Sequence, residues 1–243
     1  MDKINIILPT HNRLLEISKN FIVLKKVEPE LFYENIEKIS LFGCFSYCIW
    51  ALEQQEKQYR SKEDIQHFVQ FIIDNNSAIY LDFLNTKLNK EHFYDSYSNL
   101  ILSTIKEAKV YAFIANEDLK KYINEKYPYV DTNIEKIIYL NSYCDNCKEC
   151  YEKKSIDKIN FEKPQLYLCE KEINTFEESK TKQDFISLNK IKELSAQSIS
   201  DFIIREQIKD KYEFIESCLY YLIKPEYQNI ARLKVLKESI QNI

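Results

Sequence analysis

The sequence predicts an α/β domain of alternating βα units, TIM-barrel-like but shortened to about six strands. Three observations predict it. Short apolar runs of strand length alternate with stretches whose apolar residues recur at helical spacing. Proline, glycine and small polar residues fall between these segments more often than inside them. Each helical stretch carries an apolar stripe that must be buried on a sheet, which argues for parallel strands joined by right-handed crossovers.

Ile4–Leu8 reads as a buried strand ended by Pro9, and Leu14–Val27 as the helix after it. Ile39–Phe42 is the second strand, stopped at Gly43. Ile65, Phe68, Val69 and Ile72 lie on one face of a helix whose start is marked by Ser61 and Asp64, the pattern of a capping box. Ala78–Leu84 is a third strand. Phe93, Tyr97, Leu100, Ile101 and Ile105 keep helical spacing, and Val110–Ala115 is a fourth strand. Leu119, Tyr122 and Ile123 begin a helix that Pro128 closes. Ile137–Leu140 is the fifth strand, Leu188–Leu194 a helix and Ser200–Ile204 the sixth strand. Ile215, Cys218, Leu219 and Leu222 form a helical stripe that ends at Pro225, and Ile230–Ile240 makes the last helix.

A chain of 243 residues can bury one sizeable core, so residues 1–243 are expected to form one domain. Hydrophobic residues at 45% and charged residues at 30% suit a folded globule rather than a disordered chain. The longest apolar runs are far shorter than a bilayer span needs, and the start of the chain lacks a secretory signal pattern. A cytoplasmic location is therefore expected. The formal charge of −4 and the interleaving of Lys with Glu and Asp leave no basic face for nucleic acid. The single glycine, Gly43, excludes a P-loop, a dinucleotide fingerprint and a nucleophile elbow, since each needs several glycines.

Residues 141–186 break the alternation, being polar, lysine-rich and with little periodicity. A loop that long inside a compact domain needs something other than a core to hold it. Cys144, Cys147 and Cys150 stand at two-residue spacing, and Cys169 follows beside the apolar run Leu166–Leu168. Such spacing lets one turn of backbone wrap a metal, and four thiolates complete either a tetrahedral zinc or a cubane iron–sulfur site. The alternative is a surface loop with free thiols. Three closely spaced cysteines with a distant fourth lean towards a 4Fe-4S cluster, whereas structural zinc more often uses two separated pairs. Cys218 reads as a buried free thiol in an apolar stripe, and Cys44 and Cys48 beside Gly43 and Trp50 as core packing rather than a second metal site. His11, just past the first strand, is a catalytic candidate by position, because parallel α/β sheets bind ligands at their carboxyl edge. His67 and His92 fall in helical segments and read as surface or partly packed residues.

Several segments together resemble the collagenase-like peptidases, the U-type peptidase family numbered thirty-two. Ile39-Ser-Leu-Phe-Gly43 is similar to that family's second strand, and Ala78-Ile-Tyr-Leu-Asp-Phe-Leu-Asn85-Thr86 to its third. Ile134 to Cys144 resembles the strand that delivers the first cluster cysteine. Asp184 to Leu194, followed by Ser200-Asp-Phe-Ile-Ile204, resembles the helix and strand leading to a Lys-Ile-Glu-Gly-Arg signature. The resemblance implies a TIM barrel with a four-cysteine iron–sulfur site, in a class associated with hydroxylation of RNA bases or quinones and with proteolysis. Cys144, Cys147, Cys150 and Cys169 would then hold the cluster. His11, Asn85 and Asn116, all at strand ends, would line a substrate pocket, although helix capping accounts equally well for the two asparagines.

Two departures qualify what the family likeness implies. Ile203-Ile204-Arg205-Glu206-Gln207 stands where the family has its signature, so the signature Glu and Arg are not in place. Between Tyr129 and Ile134 there is no room for two further βα units. A shortened barrel leaves strand edges unpaired, which favours a partner subunit or a second copy covering them. The other reading is a non-catalytic accessory or binding module whose zinc or cluster only staples the cysteine loop. Leu8-Pro-Thr-His-Asn-Arg13 resembles the opening strand of family-two glycosyltransferases, but no Asp-x-Asp motif follows it.

Overall fold

The structure is a computed structural model that describes residues 3–10, 14–45, 47–51, 61–134, 137–139, 188–196, 200–204 and 211–241. It is α/β, with alternating βα units and a single all-parallel sheet. Strand β1 (Ile4–Pro9) is buried along its whole length. It lies between β2 (Ile36–Gly43) and β7 (Asp201–Ile203). From β2 the sheet continues through β3 (Ile79–Phe83) and β4 (Val110–Ile114) to β5 (Val130–Asp131), and beyond β7 it ends at β6 (Ile137–Tyr139).

The strand order is β5-β4-β3-β2-β1-β7-β6. From β1 to β5 each step moves the chain one place in the same direction, and the step from β6 to β7 moves in that direction too. Right-handed crossovers that never reverse direction place their helices on one face of the sheet. The core agrees with this. One cluster joins Ile6, Leu8, Leu41, Leu81 and Phe202 to helical residues such as Phe21, Ile65, Leu119 and Leu219. A second, on the other face, contains Ile7, Ala78, Tyr80, Leu84, Phe113 and Ile203. Its described members come from strands, their ends and the 132–136 linker, with no helical residue among them.

Helix α1 (Leu15–Val27) buries Ile17, Phe21 and Leu24, and its Asn20 donates to the Val235 carbonyl of the last helix at 3.2 Å. Helix α2 (Lys62–Asp74) opens with the expected capping box. The Ser61 hydroxyl accepts from the Asp64 amide at 3.1 Å and the Asp64 carboxylate accepts from the Ser61 amide at 2.9 Å. The helix expected around Phe93–Ile105 is two elements. A 3₁₀ turn, Lys90–Tyr94, is followed by α3 (Ser96–Thr104), and the break falls at Asp95, whose carboxylate accepts from the Ser98 amide. Helix α4 (Glu117–Lys126) precedes β5, and α5 (Leu188–Ser195) lies between β6 and β7. Helices α6 (Lys211–Leu222) and α7 (Gln228–Gln241) follow β7. The seventh strand, β5, is absent from the expectation of six because two residues carry no periodicity.

Five residues, 132–136, join β5 to β6, the two strands at opposite ends of the strand order. Among the described residues, no helix is long and apolar enough to cross a membrane.

Candidate functional site

Every strand of a parallel sheet points its carboxyl end the same way, and ligands of such sheets gather at that edge. Thr10, Cys44, Asn85 and Asn116 follow β1, β2, β3 and β4 there. The Thr10 amide donates to the Phe42 carbonyl at 2.8 Å, tying the first two exits together. Gly43 has φ +142°, and a Cβ on it would sit 2.2 Å from the Thr10 Oγ1. Only glycine allows this approach.

Asn116 is the N-cap of α4. Its Oδ1 accepts from the Leu119 amide at 3.0 Å and its Nδ2 donates to the Leu88 carbonyl at 3.2 Å. Asn85 caps no helix. Its Nδ2 donates to the Ile49 carbonyl at 2.8 Å while its Oδ1 accepts from the Lys87 amide at 3.0 Å. Each amide is thus engaged at both ends by backbone, and together they lace the exits of β2, β3 and β4 to one another. Capping, one of the two readings of these asparagines, holds for Asn116; Asn85 closes a local turn instead. His67 and His92 are exposed, and His92 accepts from the Asn89 amide through Nδ1. His11 and the metal ligand candidates Cys144, Cys147, Cys150 and Cys169 lie outside the described residues, as does the cysteine loop 141–186. Among the described residues, no group of three or more His, Cys, Asp or Glu could hold a metal.

The described cysteines are free thiols. Cys218 is fully buried in the stripe of α6, and burial pushes its thiol well up. Cys48 is 1% exposed and sits in the turn after β2, where its thiol donates to the Ser98 Oγ at 3.4 Å. That hydroxyl in turn donates to the Asp95 carboxylate at 2.7 Å. Burial pushes the Cys44 thiol well above its ordinary range. Core packing describes Cys48; Cys44 keeps part of its surface open.

No protein-family model, no curated protein and no solved structure gives a significant match to this chain. What the residues do must therefore be argued from their own arrangement.

A polar network lies at the other edge, on the face that carries Ile7, Tyr80 and Phe113. Ser40 donates to the Asn5 Oδ1 at 2.8 Å. The Asn5 amide donates to the Tyr80 hydroxyl at 3.1 Å and to the Asp201 Oδ1 at 2.7 Å. Tyr80 donates to the same Asp201 oxygen at 2.9 Å and stacks on Tyr111 at 4.5 Å between centroids. Burial, then the Asp201 charge, holds the Tyr80 hydroxyl proton well above its ordinary range. Beside them Lys38 is held low by burial and by Lys109, while Lys109 is raised by its bond to Tyr111. Asn5, Tyr80 and Asp201 are first or second residues of their strands, so the network sits at the amino edge, where α/β folds keep stability rather than catalysis. Its one sequence signal is Asn5, a polar residue inside an apolar strand.

Proposed function

We propose that the chain is an iron–sulfur protein on a barrel-like sheet, holding a 4Fe-4S cluster on Cys144, Cys147, Cys150 and Cys169. It works as a peptidase-like hydroxylase or tailoring enzyme, or as a subunit of one, in the cytoplasm. The observation that carries the reading is the cysteine run itself, three thiols at two-residue spacing with a fourth downstream. Topology supports it. Strand β6 runs parallel to its neighbours and ends at Tyr139, so the chain leaves it from the ligand-binding edge shortly before Cys144.

Chain length supports the barrel-like shape. The linker 132–136 can bridge at most about 22 Å when fully extended. A flat seven-stranded sheet would hold its outer strands about 29 Å apart. A sheet curled so that β5 and β6 approach fits that span, with the cluster around Ile7, Tyr80 and Phe113 on its inner side. Among the described residues β5 and β6 pair on one side only, which suits a partner subunit or a second copy along the seam. Light scattering that finds a stable monomer would argue against such a partner.

A second reading is favoured by the engagement of Asn85 and Asn116 with backbone, which ties up both amides that would have lined a substrate pocket. In it the chain is a non-catalytic accessory protein whose zinc or cluster only braces the cysteine loop. Anaerobic purification with iron, sulfide and zinc analysis separates the two. A brown protein absorbing near ~400 nm, with about four iron per chain, supports the cluster. A colourless protein with about one zinc supports the brace. Metal-free protein that is fully folded would sink both.

A further inference from the structure

We propose that Trp50, Tyr122 and Tyr94 form an electron-transfer route that carries one oxidising equivalent from the core at the carboxyl edge out to the surface, where it rests on the Tyr94 phenol. The route uses no residue of the cysteine run and does not depend on the metal reading.

Trp50 is the single tryptophan of the chain and is fully buried. Its carbonyl accepts from the Asn85 amide at 3.1 Å, which sets it against the exits of β2 and β3. Its Nε1 donates to the His92 carbonyl at 2.9 Å, and since a carbonyl is no base the indole keeps its proton when it gives up an electron. From there the rings lie in edge-on contact. The Trp50 centroid is 6.2 Å from that of Tyr122, and Tyr122 is 5.7 Å from Tyr94. An electron moving inwards from Tyr94 therefore crosses two ring contacts and no stretch of saturated side chain. Tyr94 is 73% exposed, so burial does not account for its place and water reaches its hydroxyl.

Where the equivalent stops depends on where a proton can leave, because a phenol becomes a neutral radical only by losing its hydroxyl proton. The Tyr122 hydroxyl donates to the Asn99 Oδ1 at 2.7 Å and accepts from the Lys126 ammonium at 2.7 Å, and neither group takes up a proton. Tyr127 and Tyr129 continue from Tyr122 as a side branch. Their hydroxyls donate to Asn99 and to the Leu102 carbonyl, and burial pushes both up, so this branch also keeps its protons. Tyr94 alone of the four has its ring mostly in water. An oxygen-centred radical RO• at the carboxyl edge takes an electron from Trp50 and becomes RO⁻. The indole is refilled from Tyr122 and Tyr122 from Tyr94, whose O–H bond breaks as the proton passes to water. In balance, RO• and the Tyr94 phenol give RO⁻, H⁺ and the Tyr94 phenoxyl radical.

Because the chain has one indole, a light pulse at the red edge of indole absorption ionises Trp50 and no tyrosine. The full chain is pulsed with hexaamminecobalt(III) present to take up the ejected electron. Transient absorption should show the indole radical band decaying as a tyrosyl band grows. A nitroso spin trap followed by digestion and tandem mass spectrometry should place the adduct on Tyr94, in tryptic peptide 91–106. Tyr94→Phe, a change at an exposed ring, should remove the adduct from that peptide. Tyr122→Phe should slow or abolish growth of the tyrosyl band while circular dichroism is unchanged; if that variant does not fold, the parent and Tyr94→Phe decide. An indole radical that decays with no tyrosyl band would overturn the proposal. So would an adduct on Tyr97 or other tyrosines with none on Tyr94, or transfer at the parent rate in folded Tyr122→Phe.

Discussion

The Tyr80 hydroxyl donates to the Asp201 carboxylate at 2.9 Å, from β3 to β7, across three strand spacings. On a flat sheet that separation is about 14 Å, more than a tyrosine and an aspartate bridge together. The face that carries them is therefore concave, and Asn5 on β1 fills the span between them by donating to both. This bond and its neighbours fix how β7 sits against β1, because a slip of one residue would turn Asp201 to the helical side.

Tyr80→Phe should accordingly destabilise the fold by about 1–3 kcal/mol, since Asn5 and Asp201 each lose a buried partner. Urea unfolding of the two chains side by side measures it. Coincident midpoints with equal slopes would mean the network contributes nothing.

Alkaline pH should weaken the fold through Tyr80 and Tyr129. Burial, and then Tyr127, push the Tyr129 hydroxyl up to about 12, and Tyr80 is raised further by burial and Asp201. Below the ordinary tyrosine value of 10.0 both states keep the proton and the contribution is intact. Above it the unfolded chain ionises while the folded chain does not, so stability falls as pH rises towards the folded values. The urea midpoint followed from about pH 8 to about pH 11.5 should decline past pH 10, and less steeply in Tyr80→Phe and Tyr129→Phe. A flat profile in the parent chain would contradict this.

Gly43→Ala should cost about 1–3 kcal/mol, from backbone held at positive φ and from the methyl driven into Thr10. Adding Thr10→Ala removes the contact but leaves the conformation, so the double variant should recover only part of the loss. Thermal unfolding of the three chains reads this out, and an unaltered midpoint for Gly43→Ala would refute it.

Glu216 and Arg232 join α6 to α7 through two bonds of 2.7 Å, and the guanidinium holds the carboxyl below its usual range. Both side chains are substantially exposed, so Glu216→Gln should cost less than about 1 kcal/mol. Because the folded value is depressed, the contribution is present above 4.5 and fades as pH falls through that lower value. The difference between parent and variant should therefore close in acid; a gap that persists there points to packing instead.

Local signals were the legible ones. Ser61 and Asp64 announce the start of α2 from four adjacent letters, and both bonds of the box are formed. Asp95 was missed as a helix start because Phe93 and Tyr97 keep helical spacing across it, although the backbone changes course between them. Strand β5 is too short to have a pattern of its own. Asn116 and Asn85 look alike in the sequence, each an asparagine just past a strand, and only the following backbone separates a helix cap from a turn. The Asn5–Asp201 contact joins residues 196 positions apart, a relationship no window of sequence contains.

The pairing of the first strand with the last also orders events during synthesis. Until the ribosome has delivered residues 200–204, β1 has a partner on one flank only, with its amides and carbonyls on the other open to pairing in the wrong register or with another chain. The nascent protein carries that vulnerability while the residues between β1 and β7 are being made, and chaperone engagement should be concentrated on that interval.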